Sequence, residues 1–233
     1  MRFQTPLVRA VLIRRYKRFL ADMQLADGTI VTTHCPNPGA MLGLKDEGLT
    51  CWLEPNDDPK KKLKYGWRLA EMDTGAMVGI DTSAPNKIIK EALLAKRIPA
   101  FAAYDTILPE QKYSTNSRID FLLRSDGLPD LYLEVKNAHL MRQEGLAEFP
   151  DCETKRGAKH LADLSAMSKS GHRAATLYLI QRDDCHKFGL AGDLDPTYSD
   201  MFQRAKRAGM ESFAYNTILS QTEIAFGDPI PFE

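Results

Sequence analysis

The sequence predicts an N-terminal all-β barrel followed by an α/β domain with a mixed central sheet, and three observations support this. Up to about residue 81, short β-like runs are separated by turn chemistry and not by helices. From residue 82 onward, strand-like runs alternate with segments of helical periodicity. A length of 233 residues also accommodates two modest cores, since domains typically run to roughly 100–150 residues. The expected division is therefore 1–81 and 82–233.

In the first part, strands are expected at Leu7–Ile13, Phe19–Leu25, Thr29–His34, Leu49–Glu54, Trp67–Met72 and Ala76–Ile80. Asp27-Gly28 supplies a hairpin turn, and Cys35-Pro36-Asn37-Pro38-Gly39 a rigid irregular one. Five or six strands in so few residues suggest a small barrel, of which the OB type is one solution. Such barrels carry nucleic acid on basic faces studded with aromatics. Arg14, Arg15, Lys17 and Arg18 beside Tyr16, Phe19 and Trp67 have that composition. The competing reading places these aromatics, Phe19 and Trp67 first among them, in the barrel core.

In the second part, Pro85 opens a helix whose apolar positions Ile88, Ile89, Ala92 and Leu93 turn Glu91 toward another face. Arg118–Arg124 and Asp130–Lys136 read as paired strands, Thr154–Ser170 as a helix stopped by Gly171, and Ala174–Gln181 as a buried strand. Asp195-Pro196 opens another helix ending near Gly209. Phe213–Leu219 and Glu223–Phe226 close the sheet.

The composition is that of an ordinary soluble globular chain, with 43% hydrophobic and 27% charged residues. Lys+Arg and Asp+Glu both number 31, so any attraction for nucleic acid must come from local patches. Four scattered cysteines without a CxxC pair fit reduced thiols. No signal peptide or transmembrane run is read, so a cytoplasmic protein with no membrane partner is expected. Oligomeric state is left open, a homodimer included.

The chemistry concentrates in the hairpin. Ile119, Phe121 and Leu123 alternate away from Asp120, and Leu131, Leu133 and Val135 away from Glu134 and Lys136, so each strand is expected to bury one face. With 125–129 as the loop, Arg124 pairs with Asp130 and Asp120 falls opposite Glu134. Two carboxylates that close repel unless a cation lies between them, and Mg²⁺ or Mn²⁺ with oxygen ligands suits the place. Asp120 and Glu134 are thus the candidate metal ligands, and Lys136 on the same face the group that orients water or steadies a phosphate. The tripeptide alone proves little, because Glu110-Gln-Lys112 and Glu153-Thr-Lys155 repeat it. The bland reading is a solvated sheet face with Glu134–Lys136 charge pairing. Glu91 could add a carboxylate and Gln181 a hydrogen bond.

The order Glu91, Asp120, Glu134-Val135-Lys136, then helix and strand, resembles the PD-(D/E)xK nuclease superfamily. More narrowly, the chain resembles the sugar fermentation stimulation protein A family. That resemblance rests on Arg15-Tyr-Lys-Arg-Phe-Leu20, His34-Cys-Pro-Asn37 with Gly39, Ser117-Arg-Ile-Asp-Phe121, Glu134-Val-Lys136, and Phe149-Pro-Asp151 leading to Arg156-Gly157 and Lys159-His-Leu161. It implies an OB-like domain, a PD-(D/E)xK nuclease-like domain, and a DNA-binding protein of bacterial type linked to expression of sugar-utilisation genes. It also implies Asp120 and Glu134 as metal ligands, Lys136 as the catalytic lysine and Glu91 as the helix acid. Pro38 stands where the family often has Thr.

Lys155, Arg156 and Lys159 crowd a helix start whose free amides could also face a phosphate; a solvated helix end is the alternative, with His160 simply packed. Three functions follow as expectations. One is a Mg²⁺- or Mn²⁺-dependent endonuclease on DNA or RNA. The second is a non-catalytic DNA-binding transcriptional regulator retaining a nuclease-like fold. The third, a metal-dependent carbohydrate enzyme, has only the family's name behind it. No helix-turn-helix signature supports sequence-specific major-groove reading.

Overall fold

A computed structural model describes residues 1–114 and 117–233. Six strands come first: β1 (Val8–Tyr16), β2 (Leu20–Leu25), β3 (Ile30–His34), β4 (Thr50–Pro55), β5 (Tyr65–Glu71) and β6 (Met77–Gly79). They run β3-β2-β1-β4-β5-β6, and a β3–β5 pairing at His34 and Gly66 closes the first five into a barrel of the expected OB type. The Asp27-Gly28 turn works as its chemistry dictates. Gly28 takes φ 86°, and the Asp27 carboxylate accepts the Thr29 N–H at 2.9 Å.

Trp67 fills the barrel with no exposure, beside Leu12, Met23 and Leu53. Phe19 departs from the core reading and stands 47% exposed. It follows the end of β1 by three residues, on a turn too tight to fold it back into the barrel.

The second sheet is built from β7 (Thr106–Ser114), β8 (Ser117–Arg124), β9 (Leu131–Ala138), β12 (Arg173–Ile180), β14 (Glu211–Leu219) and β15 (Ile224–Pro229), in the order β15-β14-β12-β9-β8-β7. The β9-β12-β14 centre is parallel and the flanks are antiparallel, the mixed sheet expected. A smaller sheet of β10 (Leu140–Gln143), β11 (Leu146–Phe149) and β13 (Lys187–Leu190) stands beside it. Parallel neighbours need crossovers, and α2 (Lys155–Lys169) and α3 (Pro196–Arg207) supply them on one face. The opposite face is covered by α1 (Ala84–Leu94), through Ile88, Ile89 and Leu93 packed on Leu131, Leu133 and Val135. The β8–β9 hairpin is consequently buried on both faces, not on one. Phe121 and Leu123 join the α1 core, whereas Ile119 and Leu122 join the α2–α3 core with Leu161 and Phe202.

The starts of α2 and α3 are fixed by side chains. Thr154 caps α2 through the Gly157 N–H at 3.0 Å, and Asp195 caps α3 through Tyr198 at 2.9 Å. The second Asp195 oxygen takes the Thr154 N–H at 2.7 Å, tying the two helix starts together. In capping α2, Thr154 takes the Gly157 N–H, one of the first-turn amides that could otherwise face a phosphate.

Barrel and α/β domain are joined by direct bonds. Gly79 N–H donates to the Gln181 carbonyl at 2.8 Å, the Gln181 amide to the Asp81 carbonyl at 3.1 Å, and Met41 N–H to Asp151 at 3.0 Å. No helix among the described residues is long and apolar enough to cross a membrane.

Candidate metal and nucleic-acid site

The expected hairpin register is present: Leu123 pairs with Leu131, Leu122 with Tyr132 and Phe121 with Leu133, which aligns Asp120 with Glu134. At that point the ladder stops. The Val135 N–H donates to the Asp120 carboxylate at 2.7 Å, and the other Asp120 oxygen accepts from Asn86 at 2.8 Å. Burial, then the neighbouring Glu134 charge, push the Asp120 carboxyl up to about 6, with those two donors and Lys136 opposing.

Glu134 is 3% exposed. Its Oε1 accepts from Lys136 Nζ at 2.6 Å and bonds His160 Nδ1. Burial works to raise this carboxyl, but Lys136 and His160 outweigh it and hold it below its ordinary value. Oε2 is buried and has no partner among the described residues, although buried polar groups are nearly always satisfied. His160 is itself oriented, because Arg156 Nε, which can only donate, reaches its Nε2 at 3.3 Å. The proton facing Glu134 therefore sits on Nδ1.

Behind this pair lies a second polar group. Asp163 accepts from Ser117 at 2.6 Å and from Lys159 at 2.7 Å. Burial acts to raise its carboxyl, yet Lys159 and Ser117 keep it low. The buried Tyr113 hydroxyl has no partner among the described residues, and its acidity is suppressed by burial and then by Glu134, Asp163 and Asp120.

An open cleft of about 500 Å³ borders the site, lined by Lys112, Ser117, Arg118, Arg156, Lys159 and His160, with Glu110 as its one acid among the described residues. Lys112 and Arg118 are directly paired across β7 and β8. Like charges in that position destabilise a sheet, so the pair is suited to an anion lying over it.

The structure thus brings Asp120, Glu134, Lys136, Arg156 and Lys159 together, and adds Asn86, His160, Lys112 and Arg118. It does not bring Glu91. That side chain is 62% exposed and pairs with the N-terminal amine at 2.8 Å, next to Ile224 of β15 and four strand positions from β8. Asn86, in the first turn of α1, is the residue this helix contributes. Lys155 borders a separate small hollow with Glu153 and Thr197. Gln181 bonds Asn137 and Asp81 at the domain junction and not Lys136. In the barrel cluster, Arg15 is committed to the carbonyls of Arg18, Asn37 and Gly39, and Arg14 to Asp22 at 2.9 Å. Lys17 and Arg18 remain outward. His160 was legible as a polar residue in the apolar stripe of Leu161 and Leu164; Tyr113 and Lys112 were not, because β7 was not expected.

Among the described residues no group of three or more His, Cys, Asp and Glu converges as a metal-binding set. The residues nevertheless suit a hard cation. Mg²⁺ is usually bound by one or two carboxylates with water completing the shell, and here two carboxylates meet with one buried oxygen unclaimed.

Two family models cover nearly the whole chain: the SfsA N-terminal OB domain over residues 13–80 and the sugar fermentation stimulation protein RE domain over residues 83–223. The chain belongs to the sugar fermentation stimulation protein family. Family homologues from Dinoroseobacter shibae and Ruegeria pomeroyi are each 58% identical to it, over 100% and 98% of this chain and 96% and 99% of their own lengths. Among solved structures, SfsA from Pyrococcus furiosus, determined in complex with Ca²⁺, superposes with a TM-score of 0.89 at 24% identity, covering 100% of this chain and 98% of that one. That likeness establishes the shared two-domain fold.

Proposed function

We propose that this family member binds nucleic acid, DNA first, and hydrolyses its phosphodiester backbone at Asp120 and Glu134 with Mg²⁺ or Mn²⁺. The observation that carries the reading is Glu134 Oε2, a buried oxygen without a partner among the described residues, on a carboxylate whose other oxygen is fixed by Lys136 and His160. A bound cation would supply Lewis-acid polarisation of the phosphate and a more acidic water. Glu134 and Asp120 would hold it, with Asn86 and the Val135 N–H aiming Asp120 and His160 aiming Glu134. Lys136, 13% exposed, is placed to steady charge on a phosphate oxygen. Lys112, Arg118, Arg156 and Lys159 give the flanking phosphates a positive floor. The Ca²⁺ in the Pyrococcus furiosus relative's structure accords with an oxygen-lined site.

The test is incubation with single- and double-stranded DNA and RNA, with Mg²⁺ or Mn²⁺, beside Asp120→Ala and Lys136→Ala. Metal-dependent cleavage lost in both variants, with binding retained, is expected. Retardation of DNA without cleavage under every condition would replace hydrolysis with a purely regulatory DNA-binding role.

A further inference from the structure

Among the described residues, the β1–β2 turn presents the one aromatic of the exposed large hydrophobic side chains, Phe19; the others, Ile30, Leu94, Leu128 and Ile218, are aliphatic. It follows two consecutive non-glycine residues in the left-handed region, Lys17 at φ 48° and Arg18 at φ 64°, which L-residues avoid. Strain of this kind persists only where the surroundings enforce it, and it gathers at ligand-contacting positions.

Here the surroundings are explicit. Arg15 donates to the Arg18 carbonyl at 2.9 Å, Arg18 Nε to the Pro38 carbonyl at 3.3 Å, and the Cys35 N–H to the Phe19 carbonyl at 2.8 Å. The tip is held on three sides, so its aromatic ring is presented to solvent by a fixed backbone. Lys17 and Arg18 flank it as exposed cations.

The tip is also connected toward the cleft. The 38–41 loop that receives Arg18 donates from Met41 to Asp151, and Arg156, a lining residue of the cleft, is five residues further along the chain. Fully extended, five residues span at most about 18 Å. Asp151 therefore lies within that reach of Arg156, and the Met41 and Pro38 contacts carry the path on to Arg18 and the turn.

The geometry points to Phe19 as a base-stacking platform that takes one unpaired nucleobase of a strand whose backbone lies in the cationic cleft, with Lys17 and Arg18 on the adjoining phosphates. The inference rests on the nucleic-acid reading and is independent of hydrolysis. A ring face needs an unstacked base, so the ligand class is single-stranded nucleic acid or a duplex with an extruded base.

Binding is to be measured with chelator present, on a single strand and on a fully paired duplex of the same sequence. Phe19→Leu, which keeps apolar bulk and removes the ring, should weaken single-strand binding by roughly 5- to 150-fold and leave duplex binding nearly unchanged. Phe19→Trp should restore single-strand affinity, and its emission, compared with wild type, should be quenched by the single strand. Equal affinities for wild type and Phe19→Leu, equal losses on both substrates, or an unquenched Phe19→Trp that binds would each overturn the platform and leave the cleft standing. Wild type that binds neither substrate would overturn the nucleic-acid reading and the platform with it.

Discussion

The two ends of the β8–β9 hairpin have the same register and opposite fates. Toward the turn, Leu123 meets Leu131 in an unbroken ladder, and Arg124 pairs with Asp130 on the surface at 3.0 Å. Toward the domain junction, the next aligned pair is Asp120 and Glu134, and there a carboxylate takes the Val135 N–H in place of a strand carbonyl. One end uses charge to decorate a finished sheet, and the other uses it to stop the sheet. The difference lies in surroundings more than in residue type, since α2 delivers His160 and α1 delivers Asn86 only to the open end. A sheet thus acquires a buried polar site where its ladder ends under two helices.

The largest expected effect is at the open end. Glu134→Ala removes the carboxylate that Lys136 and His160 hold, and calorimetric titration with Mn²⁺ should lose its binding signal. Removing the orienting group instead, with His160→Ala, should weaken binding by about 10- to 100-fold, the usual range for groups that position a ligand. Undiminished Mn²⁺ binding in Glu134→Ala would remove this carboxylate from the site.

Next in size is the cleft beside that end. Neutralising Lys112, Arg118 and Arg156 together should lower the slope of log affinity against log salt by about 1 for each phosphate that these side chains neutralise in the wild type. An unchanged slope measured by titration in increasing salt would show that nucleic acid lies elsewhere.

How far the sequence foretold this contrast depends on what made each element readable. The register was legible because alternation and Pro129 leave one good pairing, and the barrel because its turns carry Asp-Gly and Pro-rich chemistry. Glu91 misled because helical periodicity says which residues face away from the core but not which end of a helix meets which strand; Asn86 lies a turn and a half earlier. The strand β7 was hidden by Pro109, tolerated because β7 is an edge, and by Glu110 at φ 54°. With it went Tyr113 and Lys112. Glu134's bond to His160 needs the crossover geometry of α2, which depends on how far apart β9 and β12 lie in sequence and not on any local pattern.

A smaller effect separates the two ends by stability. Without metal, Asp120 in the folded protein keeps its proton to about pH 6, while the unfolded chain releases it near 3.8. The folded state therefore binds more protons between those values, and this group's contribution to stability falls as pH rises from about 4 to 6. Asp120→Asn removes the penalty and should raise metal-free stability at pH 7, by a ceiling of about 3 kcal/mol, while abolishing the stabilisation that Mn²⁺ gives wild type. Denaturant unfolding at pH 4 and pH 7 checks both signs; a variant less stable than wild type at pH 7 would mean that the charge is better compensated than its burial implies.

The smallest effect belongs to the closed end. Arg124 and Asp130 form an ion pair with side chains 52% and 24% exposed, and such pairs are worth at most about 1 kcal/mol because water screens them and two side chains must be held still. Arg124→Ala should lower the melting temperature by no more than about 2–4 °C and leave Mn²⁺ affinity unchanged. The second half is the sharper measurement. If the hairpin transmitted strain from turn to site, loosening the turn would loosen metal binding too. Three ladder pairs, Leu123–Leu131, Leu122–Tyr132 and Phe121–Leu133, stand between the ends, and all their side chains but the half-buried Tyr132 are buried. A close-packed core has discrete arrangements and does not deform continuously, so the turn can fray while Asp120 and Glu134 stay where α1 and α2 hold them.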